Sequence, residues 1–233
     1  MIFGKGRVGR NLSHYLQSQG CRVDLVGKAL SEEMLQRQIE VMNNADIILA
    51  AIPDSLLGDW FDMWHGAIGA RPAIHFSGAI AIEGMHSFHP LYSFPETVLS
   101  LDDLKKIAFA CDKHGPTFSE IFPQLPNPTF VIEKEERALY HALAVLSGNF
   151  ASFLWNQSAK EFDHISNGNV ADIMGPYLES VLARFKETPF NSLTGPMARR
   201  DRASVEANRA ALETNPELKK LYEAFLANAW PDY

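Results

Sequence analysis

The sequence contains few cysteines and lacks a long apolar run. Only Cys21 and Cys111 occur in 233 residues, and two distant thiols without metal-ligand spacing indicate a reduced compartment and no structural metal. The longest apolar stretch, around residues 45–53, contains Asp46 and is much shorter than the roughly 20 residues that cross a bilayer. Glycines and charges begin at once, so the N-terminus lacks a signal-peptide pattern. We therefore expect a cytoplasmic protein without a membrane partner.

The chain also lacks a basic block, an internal repeat and a low-complexity segment. Its 21 Lys and Arg residues stand against 28 Asp and Glu residues, which gives a formal net charge of -7. A nucleic-acid partner is therefore disfavoured. The length suits one large domain or two modest ones, and two are favoured because the residue pattern changes along the chain.

What the sequence does have is a glycine cluster close to its start. The cluster follows the apolar residues 1–3 and precedes an amphipathic run, after which residues 21–26 are β-rich. Strand, tight turn and helix in this order predict a dinucleotide site, where Gly4 permits the reversal, Gly6 lets a pyrophosphate approach and Gly9 lets the helix pack on the strand. The predicted cofactor-binding residues of the cluster are Gly4, Lys5, Gly6, Arg7, Val8 and Gly9. The first strand is short, which leaves open whether further residues precede it.

The end of the second strand bears on the choice of dinucleotide. NAD sites usually place an acid about 20 residues after the glycines, but here Gly27 and Lys28 follow Val26. A lysine suits a 2′-phosphate, so we favour NADP, with NAD and the deazaflavin F420 as open alternatives. Asp24 competes for the role of the acid, and an ordinary solvated lysine is the plain interpretation of Lys28.

Periodicity divides the rest of the chain into an α/β part and a helical part. Further strands are predicted at 45–52, 73–76, 107–110 and 129–132, and helices at 134–163, 171–186, 204–212 and 216–229. Continuous apolar strands indicate a parallel sheet covered on both faces. We predict a Rossmann-like, doubly wound, mostly parallel sheet over residues 1–130, followed by an all-helical domain over residues 131–233 that binds substrate and dimerises. Ile52 and Pro53, where the third strand ends, are expected to contact the cofactor.

The first long helix of the second part carries two different faces. One is an apolar seam typical of a core helix, formed by Leu139, Leu143, Leu146, Phe150 and Phe153. The other is polar and comprises His141, Gly148, Asn149, Ser152 and Asn156. A polar face on a buried helix needs partners, which a substrate cleft would supply, and a solvated face with one chance histidine is the alternative.

Three histidines, His75, His86 and His89, lie close together in sequence after the third strand. No cysteine or HExxH pattern accompanies them, so a metal site is disfavoured. We expect the segments at His75 and His89 to be strand-end loops at the carboxyl edge of the sheet, where ligands of open α/β folds bind. A histidine there could donate a proton to a carbonyl or imine, and buried, hydrogen-bonded loop histidines are the alternative.

Arg199 lies in a loop, residues 193–201, that precedes a predicted helix. Its guanidinium could hold a substrate carboxylate by two hydrogen bonds, and Asp201 is placed to cap the helix that follows. An ion pair between Arg199 and Asp201 that serves structure alone is the alternative.

These motifs together resemble a family of bacterial proteins. They include the glycine cluster, residues 45–54, His75-Phe76-Ser77-Gly78-Ala79, residues 89–94, Tyr140-His141-Ala142, Asn149 and residues 193–201. The family pairs a Rossmann-like domain with a C-terminal domain of unknown function, the "twenty-five-twenty" domain, and resembles members of the 6-phosphogluconate dehydrogenase-like superfamily, related to pyrroline-5-carboxylate, ketopantoate and F420-linked reductases. The resemblance implies an NADP-type oxidoreductase whose helical domain forms a homodimer.

We therefore expect hydride transfer between a nicotinamide and a small, acidic metabolite such as a keto acid, imine or hydroxy acid. His89 or His141 would exchange the proton, and Asn149 would orient the substrate. Ser77, Gly78 and Arg199 would bind it. A non-catalytic dinucleotide sensor or scaffold is the second hypothesis, and a helical interaction module with a degenerate dinucleotide domain is the third.

Overall fold

Seven strands form one sheet in the first part of the chain. In chain order they are β1 (Ile2–Phe3), β2 (Leu25–Val26), β3 (Ile48–Ala50), β4 (Ala73–His75), β5 (His86–Pro90), β6 (Phe109–Asp112) and β7 (Thr129–Ile132). Their spatial order is β2-β1-β3-β4-β5-β6-β7. Strands β1 to β5 are parallel, β6 is antiparallel to β5, and β7 is parallel to β6. The predicted mostly parallel sheet is confirmed.

Helices connect the strands and then make up the rest of the chain. They are α1 (Arg7–Ser18), α2 (Glu32–Asn43), α3 (Asp54–Ile68), α4 (Leu101–Leu104), α5 (Phe118–Ile121), α6 (Arg137–Ala144), α7 (Ala151–Ile165), α8 (Val170–Glu187), α9 (Gly195–Arg199), α10 (Arg202–Ala211) and α11 (Pro216–Ala229). The structure, a computed structural model, describes residues 1–233. The α/β class with a helical C-terminal part is confirmed. None of the helices is both long and apolar enough to span a membrane.

The chain divides into a sheet unit, Met1–Gly148, and a helical unit, Asn149–Tyr233. The boundary expected between residues 130 and 131 falls within β7 and stays a prediction. The sheet unit retains α6 beyond that point. This matters for the site because α6 carries Tyr140 and His141.

Both faces of the sheet are covered by apolar side chains. On one face α1 contributes Leu12, Tyr15 and Leu16 to a cluster around Phe88. On the other face a second cluster includes buried residues of α2 and α3, namely Met42, Leu57, Trp64 and Ile68. Helices on two faces of a parallel sheet are the arrangement that continuous apolar strands require.

The sequence missed β5, since the expectation of a loop at His89 was wrong. The segment His-Ser-Phe-His-Pro shows no apolar run, yet it pairs with β4 on one side and β6 on the other. Ser87 and Phe88 are fully buried there. His89 lies one residue before the end of β5 and two residues beyond Ser87, the last residue of β5 that pairs with β4.

The expected helix 134–163 differs from a regular α-helix in its first half. Lys134–Glu136 is a 3-10 turn, and Val145–Phe150 is a π-helical segment between α6 and α7. The apolar seam expected in the core is exposed, which corrects the prediction that this is a core helix. Its members Leu139, Leu143, Leu146, Phe150 and Phe153 are each more than half exposed.

The helical unit contains one small apolar cluster. Val205, Leu226 and Trp230 are buried together, with Met197 and Tyr222 packed against them. Asp201 caps α10, since its Oδ1 accepts from the backbone N of Ser204 at 3.1 Å. The predicted cap is therefore confirmed.

Candidate functional site

The strand order creates a crevice at one edge of the sheet. From β1 the chain passes through α1 to β2 on one side, and from β2 through α2 to β3 on the other side of β1. In open α/β sheets, ligands bind outside the carboxyl ends of the strands at such a reversal. The glycine cluster follows β1, and Ile52 and Pro53 follow β3. The residues predicted to bind a cofactor thus come from both sides of this crevice.

The glycine loop is an open cradle beside the start of α1. Gly4 has φ 106°, and a Cβ there would lie 2.0 Å from the carbonyl oxygen of Ala51. A Cβ on Gly9 would lie 1.8 Å from the carbonyl oxygen of Gly4, whereas nothing lies within 4 Å of a Cβ on Gly6. No side chain caps α1. Its first N–H groups are therefore available to an anion such as a phosphate.

Arg7 and Val8 have other contacts in the structure. The Nε of Arg7 donates to Oε1 of Glu96 at 2.8 Å, and Nη2 of Arg10 donates to the backbone oxygen of Glu96 at 3.0 Å. Val8 packs its side chain against the core. Arg7 would have to leave Glu96 to pair with a phosphate, and Val8 can offer only its backbone.

A cavity of about 840 Å³ lies beside the cradle. Its lining is mainly apolar and includes Gly4, Lys28, Leu35, Ile52, Leu56 and Trp60. Lys28 follows β2, whose tip is fixed by a hydrogen bond of 2.9 Å from Nε2 of Gln38 to the oxygen of Gly27. Asp24 precedes β2 and does not line this cavity. The structure therefore places the lysine, and not the aspartate, beside this space.

At the same edge His89 forms a hydrogen bond with Tyr140. The Nδ1 of His89 lies 2.6 Å from the Tyr140 hydroxyl, and the ring centroid of His141 lies 6.1 Å from that of His89. A Cβ on Gly78 would lie 3.0 Å from three ring atoms of His89, so the imidazole packs directly on this glycine. The structure thus brings Ser77, Gly78, His89 and His141 together.

Burial sets the protonation of this pair. It lowers the pKa of His89 to about 4, with His141 adding to the decrease and Asp54 opposing it. Burial also raises the pKa of Tyr140 to about 12. Both groups are therefore neutral near pH 7, and in one of the two neutral tautomers the hydroxyl donates to Nδ1 while Nε2 carries the ring proton.

The second ring nitrogen of His89 is accessible. It makes no hydrogen bond within the chain, and the only buried side-chain nitrogens without a partner are Nε1 of Trp60 and Nε2 of His75. Nε2 of His89 therefore reaches the surface at the carboxyl edge of the sheet. This is the position of a group that can exchange a proton with a bound molecule.

Ser77 has its hydroxyl fully engaged. Its Oγ donates to Oδ2 of Asp54 at 2.6 Å and accepts from the backbone N of Ala79 and Ile80 at 3.2 and 3.3 Å. Ser77 thereby holds the turn that places Gly78 under His89. A direct contact of its hydroxyl with substrate stays a prediction.

His75 is the other buried histidine of this edge. It is fully buried at the end of β4, and its Nδ1 accepts from the backbone N of Ser77 at 3.3 Å. Burial, with Arg137 next in importance, lowers its pKa to about 4. His75 is thus buried and hydrogen-bonded, as in the alternative, but it lies at the end of β4 and not in the loop that was expected.

Two predicted site residues belong to the helical unit. Asn149 lies in the π-helical segment, and Arg199 is the exposed last residue of α9. No ion pair within 4.0 Å joins Arg199 to Asp201. The arginines of that region that do form ion pairs are Arg200, with Asp232, and Arg209, with Glu223. The roles of Asn149 and Arg199 toward a substrate stay predictions.

Four residues that organise the site were given no role in the sequence analysis: Asp54 and Tyr140, which belong to motifs of the family resemblance, and Asp112 and Arg137, which were not named. The position of Asp54 directly after the third strand was a usable signal, because that edge binds ligands. Tyr140 was visible as a polar neighbour of His141. No sequence signal pairs Asp112 with Arg137, since their contact depends on how β6 and α6 meet.

Together, the strand order and the glycine cradle define a Rossmann-like α/β protein with a helical second unit. The model of the domain of unknown function DUF2520 matches residues 109–229, more than half of the chain. The protein therefore belongs to the DUF2520 family. No curated protein matches this chain.

Solved structures share this fold over nearly the whole chain. A Bacteroides fragilis protein, provisionally described as an NADP oxidoreductase, is 21% identical with a TM-score of 0.73, covering 98% of this chain and 96% of that one. A Thermotoga maritima protein is 21% identical with a TM-score of 0.70, covering 98% and 95%. Plasmodium falciparum pyrroline carboxylate reductase, solved with NADP, is 10% identical with a TM-score of 0.59, covering 98% and 94%. Identities this low establish the shared fold alone.

Proposed function

We propose that the protein is an NADP(H)-dependent oxidoreductase that transfers a hydride between nicotinamide and a small, acidic metabolite. The observation that carries this proposal is the His89–Tyr140 hydrogen bond at the sheet edge that also bears the glycine cradle. An accessible imidazole there, hydrogen-bonded at Nδ1 to a tyrosine hydroxyl, can relay a proton from that hydroxyl to a carbonyl oxygen or imine nitrogen as hydride arrives. The shared fold with pyrroline carboxylate reductase and with an Aspergillus terreus imine reductase, solved with NADPH4 and with a TM-score of 0.53, supports it.

The residues present fit an adenine dinucleotide phosphate. The cradle at Gly4, Gly6 and Gly9 suits a pyrophosphate, and the apolar cavity beside Lys28 suits an adenosine with a 2′-phosphate. The deazaflavin F420 has no adenosine to fill this cavity, so we favour NADP over it. The fold also supports kinship with the 6-phosphogluconate dehydrogenase-like superfamily.

When bound in the cradle, NADPH would supply the hydride. His89, kept neutral because burial lowers its pKa to about 4, would give its Nε2 proton to the substrate oxygen or nitrogen that the hydride leaves negatively charged. Its Nδ1 would take the Tyr140 hydroxyl proton at the same time, so that no imidazolate forms, and water would return a proton to Tyr140. Tyr140 fixes the tautomer through Nδ1. Ser77 and Gly78 shape the floor under the ring. Asn149 would orient the substrate, and Arg199 would bind its carboxylate.

The experiment combines cofactor binding with a substrate screen. NADPH consumption is followed with keto acids and cyclic imines for the wild type, His89→Ala, Tyr140→Phe and the control His114→Ala, a histidine exposed on another loop. We expect His89→Ala to lower the rate about 10²- to 10⁴-fold and to leave NADPH affinity intact. His114→Ala should change neither value. If the wild type binds NADPH but consumes it with none of the substrates, the result would contradict the proposal of an enzyme and support a dinucleotide sensor.

We further propose that the partner of the helical unit is a second copy of the chain, in the cytoplasm. Ile165, Ile173, Tyr177 and Phe185 are at least half exposed, and apolar surface of this kind marks an interaction site. The free cysteines agree with a reduced compartment. Analytical ultracentrifugation should give a dimer that Ile165→Asp weakens. A monomer at micromolar concentration would contradict the proposal.

A further inference from the structure

The guanidinium of Arg137 is buried beneath the candidate site. The residue is 1% exposed, and its Nε donates to Oδ1 of Asp112 at 3.0 Å, with Nη2 also on that oxygen. Its Nη1 donates to the backbone oxygen of Ser77 at 3.3 Å. A buried ion pair adds little net stability, because desolvation offsets the attraction, and its best-attested value lies in fixing one geometry.

Asp112 extends this contact to the strand that carries His89. Its Oδ2 accepts from the backbone N of Ser87 at 2.7 Å, two residues before His89. The Ser87 hydroxyl donates to the oxygen of Ser77 at 2.8 Å. The ion pair therefore anchors both β5 and the turn on which the His89 ring packs.

Arg137 extends the same contact to the residue that hydrogen-bonds His89. It is the first residue of α6, so Tyr140 and His141 lie three and four residues later, on the same side of the helix. Fixing Arg137 fixes the rotation of α6 and with it the Tyr140 hydroxyl. The ion pair between Arg137 and Asp112 thus holds both His89 and Tyr140, whose hydrogen bond is 2.6 Å long.

We propose that Arg137 and Asp112 are positioning residues that set the His89–Tyr140 hydrogen bond. Neither touches the accessible Nε2 of His89, so they act through the groups they hold. Their catalytic meaning rests on the proposed function, but the hydrogen bond itself can be measured without a substrate.

The test replaces the charges as a pair. Arg137→Met with Asp112→Asn removes both charges and keeps an oxygen that accepts from Ser87, which avoids an uncompensated buried charge. Lys113→Met is the matched control, because it removes a cation one residue from Asp112 that pairs with Glu133 near the surface. Tyr140→Phe supplies the reference for a missing hydrogen bond.

The readout is nitrogen NMR of the histidines, which reports the tautomer and the hydrogen bond at Nδ1, with His89→Gln assigning the signals. We expect one fixed tautomer in the wild type and in Lys113→Met. We expect the double variant to give the Tyr140→Phe pattern while it still binds NADPH with unchanged Kd. Wild-type His89 signals in the folded double variant would overturn the proposal.

A second variant covers loss of folding. Arg137→Lys keeps the charge but replaces the planar fork that holds Asp112 and Ser77 by a single nitrogen, so we expect mixed tautomers of His89. A single wild-type tautomer there would overturn the proposal.

Once a substrate is known, the double variant should lower kcat at least about tenfold with little change in the KM for NADPH. If the wild type binds no dinucleotide, the proposed function is wrong. The NMR result still decides whether Arg137 and Asp112 position His89 and Tyr140.

Discussion

The sheet unit and the helical unit bury their apolar residues to very different degrees. The sheet unit closes two cores, one on each face of the sheet. The helical unit buries one cluster around Val205, Leu226 and Trp230, and the 18 residues of α8 bury only Met174. A sheet covered by helices completes its own core, whereas the helices of the second unit leave apolar side chains exposed.

The largest test of this contrast compares two phenylalanines. Phe88 is fully buried, with ring centroids 5.4 Å from Phe118 and 6.1 Å from Phe122, so Phe88→Ala should cost about 3–5 kcal/mol of unfolding free energy. Phe190 is fully exposed, and Phe190→Ala should change that free energy by less than about 0.5 kcal/mol. Urea unfolding measures both values. Equal losses would remove the contrast between the units.

The next test concerns the backbone contact that shapes the cradle. Gly9→Ala would place a Cβ 1.8 Å from the oxygen of Gly4, so the loop must shift, and we expect the Kd for NADPH to rise at least about tenfold, or 1.4 kcal/mol. Gly66→Ala in α3 is the control, since nothing lies within 4 Å of its Cβ. Calorimetric titration compares the two variants. Unchanged affinity in Gly9→Ala would place the phosphates elsewhere.

A third test of the contrast uses acid. Burial lowers the pKa of His75 and of His89 to about 4, below the value near 6.5 of an unfolded histidine. Between these values the unfolded chain takes up protons that the folded unit does not, so the stability of the sheet unit falls as pH decreases from about 6.5 to 4. His89→Gln should reduce this slope, as urea midpoints across the range will measure. An unchanged slope would contradict a buried neutral His89.

The sequence predicted the first unit well because its signals are local. Glycine spacing, apolar strands and the helix that follows them depend on neighbouring residues, and the sheet class followed from them. The prediction for Lys28 rests on the same kind of local signal, its place after β2, and the structure places this residue beside a cavity. Strand β5 was missed because two other strands, rather than its own apolar pattern, hold it in place.

The parts of the site that were missed depend on contacts distant in sequence. His89 meets Tyr140 across 51 residues, and Arg137 meets Asp112 across 25. Such pairs form only once the helix after β7 is packed, and one sequence carries no trace of them. The prediction that the apolar seam from Leu139 to Phe153 lies in the core was wrong for another reason. Periodicity shows that a helix face is apolar, but it does not show which part of the protein covers that face.

The central claim is that the crevice of the sheet unit binds NADP(H), and thermal unfolding with added NADPH, NADH or F420 tests it most directly. At about 100 times its Kd, a ligand adds roughly 2.7 kcal/mol to stability. We expect NADPH to raise the unfolding temperature more than NADH at equal concentration, and Lys28→Ala to reduce this difference. No shift with NADPH or NADH would contradict the account.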